Sequence, residues 1–286
     1  MIKMKIVGSL IVSVVLGFAQ LAEPQQAKRI PLIGYLALGT GPGEPEAQFK
    51  DRLRALGWFE GQNIAIEYRW SGNDLERLRL LAEELVRMKV DLIVASATPV
   101  IEAARKATTT IPIVMLGAAD PVASGFVASL AHPGGNVTGL SLQSAELSGK
   151  RLELLKEIVP KLSRVALLLY GGDPAHKLFL KEAQDVAPIL GIKIHPIVIQ
   201  QPAEMENAFS AMKRPRAQAL VVQPILSGAL MGQGSKIAQL AVKNKSPTIS
   251  DSVRFTEAGG LISYGADRLD LYRRAAVHVV TNQSII

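Results

Sequence analysis

Apolar positions along the chain fall in short continuous runs rather than in alternation. Arg29 to Leu38 (RIPLIGYLAL), Asp91 to Ser96 (DLIVAS), Ile111 to Leu116 (IPIVML), Arg164 to Leu169 (RVALLL) and Ala219 to Val222 (ALVV) are apolar nearly throughout. Strands buried on both faces read this way, because a parallel sheet covered by helices has no wet side. Further strands are expected at Ile64–Tyr68, Lys193–Ile199, Pro247–Ser250 and Gly260–Tyr264. Between the strands the period changes to that of a helix. Pro45 to Leu56 is stopped by Gly57, and Leu75, Leu78, Leu81, Ala82 and Leu85 share one face after Asn73-Asp74-Leu75-Glu76, a capping box with Asn73 in the cap position. Thr98-Pro99 starts a helix to Ala107, and others are expected at Ala145–Val159, Asp173–Leu190 (closed by Gly191), Pro202–Met212, Ser235–Lys243 and Asp267–Val280.

Strand and helix alternate twice over, which predicts an α/β fold of two Rossmann-like lobes, each a parallel sheet flanked by helices. Asp120 to Leu142 (DPVASGFVASLAHPGGNVTGLSL) closes the first set: Asp120-Pro121 as a helix start, a short apolar helix to about His132, a turn at Pro133-Gly134-Gly135-Asn136, and a brief strand at Val137–Leu140. The lobe boundary then falls near Ser141–Glu146. This gives a first lobe over 28–143, a second over 144–263, and a final crossing and helix over 264–286 that return to the first lobe.

Composition adds a location. Met1-Ile2-Lys3-Met4-Lys5 precedes an apolar run from Ile6 to Phe18, shorter than the roughly 20 residues of a membrane span. Residues 1–19 therefore read as a secretory signal peptide, cleaved after Ala19 or as late as Ala27, and the mature chain is expected free in a periplasm rather than embedded in a membrane. The absence of cysteine excludes a disulfide framework, a thiol nucleophile and a lipoprotein anchor. The formal charge of +7 includes Lys3 and Lys5, and the remaining cations are scattered beside acidic residues, so no nucleic-acid partner is expected.

In open α/β sheets ligands sit beyond the carboxyl ends of the strands. Here those loops are Leu38–Glu44, Ser96–Thr98, Gly117–Asp120, Tyr170–Asp173, Gln223–Ser227 and Ser250–Ser252. Thr98, with Ser96 and Ala97 before it, offers a hydroxyl and helix N–H groups to a carboxylate. Asp120 can receive an ammonium or simply cap its helix. Gln223 and Asp251 follow strands directly and lack an obvious structural duty, whereas Asp173 reads as a cap. Gly39 and Thr40 lie in the first loop, and Tyr35, Tyr170 and Tyr264 can stack on an apolar ligand group. Trp58 and Trp70 read as packing residues. His132, His176, His195 and His278 are dispersed, no pair has metal-ligand spacing, and no cofactor is implied. Gly39-x-Gly41-x-Gly43 is similar to a dinucleotide loop, but Glu44 stands where its third glycine belongs and Pro42 disturbs the turn. It supports one alternative, an exported nucleotide-binding enzyme. A sugar-responsive regulator on the same fold would need a helix-turn-helix where the leader lies.

Four stretches, ASATPVIEAARKATTTIPIV (95–114), DPVASGFVASLAHPGGNVTGLS (120–141), GKRLELLKEIVPKLSRVALL (149–168) and FTEAGGLISYGADRLDLYRRAA (255–276), together resemble the substrate-binding proteins of ABC transporters once known only as a domain of unknown function. The resemblance covers about Ile30 to Val280. It implies a type I periplasmic-binding fold with three crossings, no catalysis, and closure over a small solute delivered to a membrane permease; members hold aromatic amino acids such as tryptophan or phenylalanine. It places Thr98 at the cleft through the TP motif, and matches Asp120 to the DP motif and Tyr264 to the SYG crossing. A monomer is expected, with a dimer open. The sequence departs from the family pattern at Ile225–Gly234, where aromatic residues often stand, and in ending soon after the last helix, which reads as a C-terminal truncation.

Overall fold

In the computed structural model, residues 29–227 and 232–282 are described. The leader expected over 1–19 lies outside them, as do part of the departing Ile225–Gly234 segment and the last four residues. The first half of the chain runs β1 (Leu32–Ala37), α1 (Glu44–Ala55), β2 (Ala65–Trp70), α2 (Leu75–Arg87), β3 (Leu92–Ser96), α3 (Thr98–Ala107), β4 (Ile113–Ala118) and β5 (Val137–Ser141). The second half runs α4 (Ser148–Ile158), β6 (Arg164–Tyr170), α5 (His176–Val186), β7 (Lys193–Ile199), a 3-10 turn (Pro202–Glu204), α6 (Met205–Ala211), β8 (Ala219–Val222), α7 (Pro224–Ser227), α8 (Gly234–Lys243), β9 (Thr248–Ser250), α9 (Val253–Glu257), β10 (Ile262–Ser263) and α10 (Arg268–Val280).

The strands form two five-stranded parallel sheets, ordered β2-β1-β3-β4-β5 and β10-β9-β8-β6-β7. Their topology is the same: β6 lies between β7 and β8 as β1 lies between β2 and β3. The continuous apolar runs are buried on both sides, as a covered parallel sheet requires. Along β1, Ile33 and Tyr35 face α1 and α10, where they meet Phe49, Leu53, Leu271 and Tyr272. Leu36, one residue on, faces α2 and α3 with Leu78, Leu85 and Val100. In the second sheet Val165 and Leu167 pack with Leu152, Leu155 and Phe179, while Ala166 and Leu168 share a cluster with Met205, Phe209 and Ile237.

Two local expectations are corrected. Residues 121–126 form turns rather than an apolar helix. Gly125, at φ 69°, interrupts the chain there, and Phe126 and Val127 bury themselves beneath α3 without a helical repeat. The cap of α2 is Asp74, whose carboxylate accepts the N–H groups of Glu76 and Arg77. Asn73 instead takes a left-handed φ of 67° and accepts the Gly39 N–H, tying the β1 loop to the β2 loop. The short helices α7 and α9 carry too few residues for a period to show.

The chain crosses between sheets at 142–147 and again at 264–267. After the second crossing α10 packs on α1 and β4 of the first lobe, capped by Asp267 through the Leu269 and Asp270 N–H groups. The two lobes are closed on each other. Arg254 of α9 pairs with Glu44 of α1. Leu75 of the first lobe comes close to Gly172 of the second: a Cβ there would stand 2.7 Å from Leu75 Cδ1.

Candidate functional site

Strand order reverses about β1 in the first sheet and about β6 in the second, and the crevices at such switch points are where this architecture holds ligands. The two crevices face each other. Between them lies a small cavity of about 20 Å³, lined by Ala97, Thr98, Gly117 and Ala119 from the first lobe and Asp173, Phe179, Pro224 and Ile225 from the second. Leu142 and Ser144 of the first crossing and Arg268 at the second complete it. Small-molecule sites span roughly 300–1,000 Å³, so this closed form leaves room for about one water, and the lobes must part to admit a ligand.

Asp173 is the outstanding polar group. It follows β6, is 3 % exposed, and uses one oxygen to cap Ala175 N–H (3.0 Å) and the other to accept the Gln223 amide (2.7 Å). No cation pairs with it among the described residues. Burial pushes its carboxyl up to about 7, while the Ala175 N–H and the Gln223 amide pull it back. Gln223 is held in turn, its carbonyl accepting the Tyr170 N–H at 2.8 Å. Asp173 is the residue the sequence pattern missed. Asp-Pro at a helix start looks the same whether or not it is sealed from water.

Thr98 opens α3 and is 3 % exposed. Its Oγ1 accepts the Ala119 N–H (3.1 Å), which leaves its own proton to donate. Ala97 carries φ 77° and ψ 155°, a region essentially reserved for glycine. That strain turns the chain sharply from β3 into α3 at the cavity wall. Ser96 is buried beneath, its Oγ beside the Tyr272 hydroxyl without a hydrogen bond of ordinary geometry. Burial pushes Tyr272 up to about 12, and burial likewise raises Tyr35, whose hydroxyl donates to Glu46 at 3.1 Å. Tyr35 is therefore core, not a stacking surface.

Arg268 lines the cavity from the start of α10 and pairs with Asp251 (3.0 and 3.2 Å). Burial alone would lower its pKa, but Asp251 overrides that and raises it. Asp251 and Gln223 thus both have structural duties that their positions after strands did not reveal. Tyr170 is buried, raised in pKa chiefly by burial and then by Asp173 and Asp74. The other expected residues stand outside the lining. Asp120 caps Val122 and Ala123, Gly39 is bonded to Asn73, Thr40 is exposed, and Tyr264 is 38 % exposed with its carbonyl turned to Arg151. At α1 the carboxylate of Glu46 accepts the Gly43 N–H at 2.8 Å, so the glycine loop places acid where a pyrophosphate would need positive charge. Among the described residues no three His, Asp or Glu side chains converge as metal ligands, and no helix is long and apolar enough to cross a membrane.

Two parallel-sheet lobes closing switch-point crevices on a cavity define a type I periplasmic-binding fold. The family profile described as ABC transporter substrate binding protein matches residues 44–282, and the chain belongs to that family. A tyrosine-binding protein of Clostridioides difficile (strain R20291) is 30% identical over 304 aligned residues, covering 100% of this chain and 87% of that one. Among solved structures, an ABC domain in complex with L-Trp from Streptococcus pneumonia aligns with a TM-score of 0.78 at 24% identity, over 88% of this chain and 84% of that one. The ligand-free, open structure of a substrate binding protein with adhesive properties from Clostridium difficile aligns at 0.59 with 26% identity, over 90% and 87%.

Proposed function

We propose that the chain is exported by its first 19 residues and serves in a periplasm as the solute-binding component of an ABC importer. Its lobes, 28–143 and 144–263 with 264–286 returning to the first, close over one α-amino acid of the aromatic class and present it to a permease. The observation that carries this reading is the pairing of unlike groups across the cavity: Asp173, a buried carboxylate without a cation, opposite the Thr98 hydroxyl at the start of α3. An α-ammonium at Asp173 supplies the missing counter-charge, and an α-carboxylate meets the Thr98 hydroxyl and the positive end of α3. Once the lobes part to admit the ligand, Phe179, Leu142 and Ile225 flank its side chain. In this reading Ser96 and Ala97 shape the floor, Tyr170 and Gln223 position Asp173, and Asp251 holds Arg268. Asp120, Gly39, Thr40 and Tyr264 make no ligand contact. The tyrosine-binding relative, at 30% identity over the whole chain, supports the same ligand class.

The test is a thermal-shift series on the mature chain with L-tyrosine, L-tryptophan, L-phenylalanine, tyramine, 3-(4-hydroxyphenyl)propanoate, glucose and NAD. A ligand at about 100 times its Kd stabilises the folded chain by about 2.7 kcal/mol, a shift of several degrees. The expected result is a shift with an aromatic amino acid that is lost when either its amine or its carboxylate is removed. A shift with glucose or NAD and none with any amino acid would overturn the reading.

A further inference from the structure

Among the described residues, the largest fully buried side chain is not apolar. It is Arg151 of α4, 1 % exposed and away from the cavity lining. Its Nε donates to the Tyr264 carbonyl at 3.0 Å and its Nη1 to the Ser144 carbonyl at 2.9 Å. Those two carbonyls belong to the two segments that cross between the lobes. Nη2 makes no hydrogen bond among the described residues, so these two bonds hold the guanidinium without a third. Burial lowers its pKa, Asp251 opposes that, and Arg268 adds to it, which sets Arg151 in the same charge group as the Asp251–Arg268 pair.

What the carbonyls are attached to gives the contact its meaning. The Ser144 N–H donates to Ala119 at the end of β4, so this residue is tied to the first lobe by its N–H and to the second by its carbonyl. The Tyr264 N–H donates to Ser250 of β9. One side chain therefore fixes the separation of both crossings at the point where the chain leaves each lobe. Ser144 and Arg268 also line the cavity, so the joint is continuous with the site.

We infer that Arg151 is a positioning residue for lobe closure, the buckle that confines the two crossings to one bending axis. The inference rests on the reading of the chain as a protein that closes on its ligand, but it is tested without any ligand. The chain has no cysteine, so R77C and Q201C, at exposed positions on opposite lobes, take a spin-label pair uniquely. In the ligand-free protein, R151M is expected to at least double the width of the lobe-to-lobe distance distribution. R151K, which keeps donors but loses the rigid planar fork that sets the spacing of the two carbonyls, broadens it less. A purely structural role would lower Tm and leave the distribution as narrow as the parent's, and that result would overturn the inference. Should R151M not fold, R151K carries the test alone: broadening upholds the inference, and the parental width overturns it. Failure of every amino acid in the binding series would leave this measurement unaffected.

Discussion

Replacing Asp173 with asparagine should stabilise the ligand-free chain at pH 8, an advantage that disappears by about pH 5. Burial sets the carboxyl pKa at about 7 against 3.8 for an unperturbed aspartate. Because the folded value is the higher one, the folded chain binds more proton than the unfolded chain between about pH 4 and pH 7. Stability therefore falls as pH rises through that window, by about 4 kcal/mol for a shift of about 3 units. Asparagine removes the whole dependence. It also brings a cost, since its amide must face the Gln223 amide, and Gln223 cannot turn without losing the Tyr170 N–H. That donor–donor contact costs about 1–3 kcal/mol at every pH. At pH 8 the variant should be ahead by about 1–3 kcal/mol; at pH 5, where the parent has given up only about 1.6 kcal/mol, the two should lie within about 1 kcal/mol, the curves crossing below neutral.

Urea unfolding of both proteins across this range measures the difference. His195 and His278, whose pKa values are lowered chiefly by burial, titrate in both proteins and cancel. A D173N chain less stable than the parent by the same amount at pH 5 and pH 8 would refute the claim that an uncompensated carboxylate is buried there. The bound state should show the opposite preference. L-Tyrosine affinity should fall at least thirtyfold in D173N, from a loss of about 2 kcal/mol or more on truncating one partner of a buried charge pair. In the parent it should weaken about tenfold per unit as pH drops below about 7, because the ammonium must displace a proton.

Four other perturbations follow from the same contacts. T98V leaves the Ala119 N–H buried without its acceptor (3.1 Å in the parent) and should cost about 1–3 kcal/mol in urea unfolding and most of the ligand affinity, whereas T98S should keep both. R268M takes the guanidinium away from Asp251, whose side chain is 3 % exposed, and should destabilise by up to about 3–5 kcal/mol, part of it recovered in R268M/D251L. A97G relieves a conformation that costs about 1–3 kcal/mol and adds about 0.5–1 kcal/mol of chain entropy, so Tm should rise; a fall would mean the position is not strained. E44Q removes an exposed pair across the lobes and should change stability by less than about 1 kcal/mol, an effect that vanishes in high salt.

The periodic parts of this chain were legible because each is a statement about which faces are dry. Lys193–Ile199, Ala219–Val222 and Thr98–Ala107 fold with the bounds their sequences imply. Where the sequence misled, local chemistry admitted two solutions and a distant contact chose. Asn73 and Asp74 are both good caps, and the choice went to Asp74 because Asn73 tolerates a left-handed φ and the Gly39 N–H needed an acceptor. Val122, Phe126 and Val127 have helical spacing, but Gly125 interrupts them and turns form instead.

The two Asp-Pro pairs set the limit of such reading most sharply. Asp120-Pro121 and Asp173-Pro174 are the same dipeptide after a strand, and both aspartates cap the residues that follow. Asp120 stays half-buried, while Asp173 is sealed by Gln223, which comes from a strand far away in sequence, and by the first-lobe wall of the cavity. Nothing within several residues of either distinguishes them. Desolvation is a property of the assembled lobes, and it turns an ordinary cap into a charge that needs a partner. Arg151 is the same case with the opposite sign: a helical arginine beside Lys150 reads as a solvated face, yet the two crossings converge on it and remove the water. In a two-lobed protein the groups that matter to function are those whose surroundings come from both lobes, and these are the ones a local pattern cannot price.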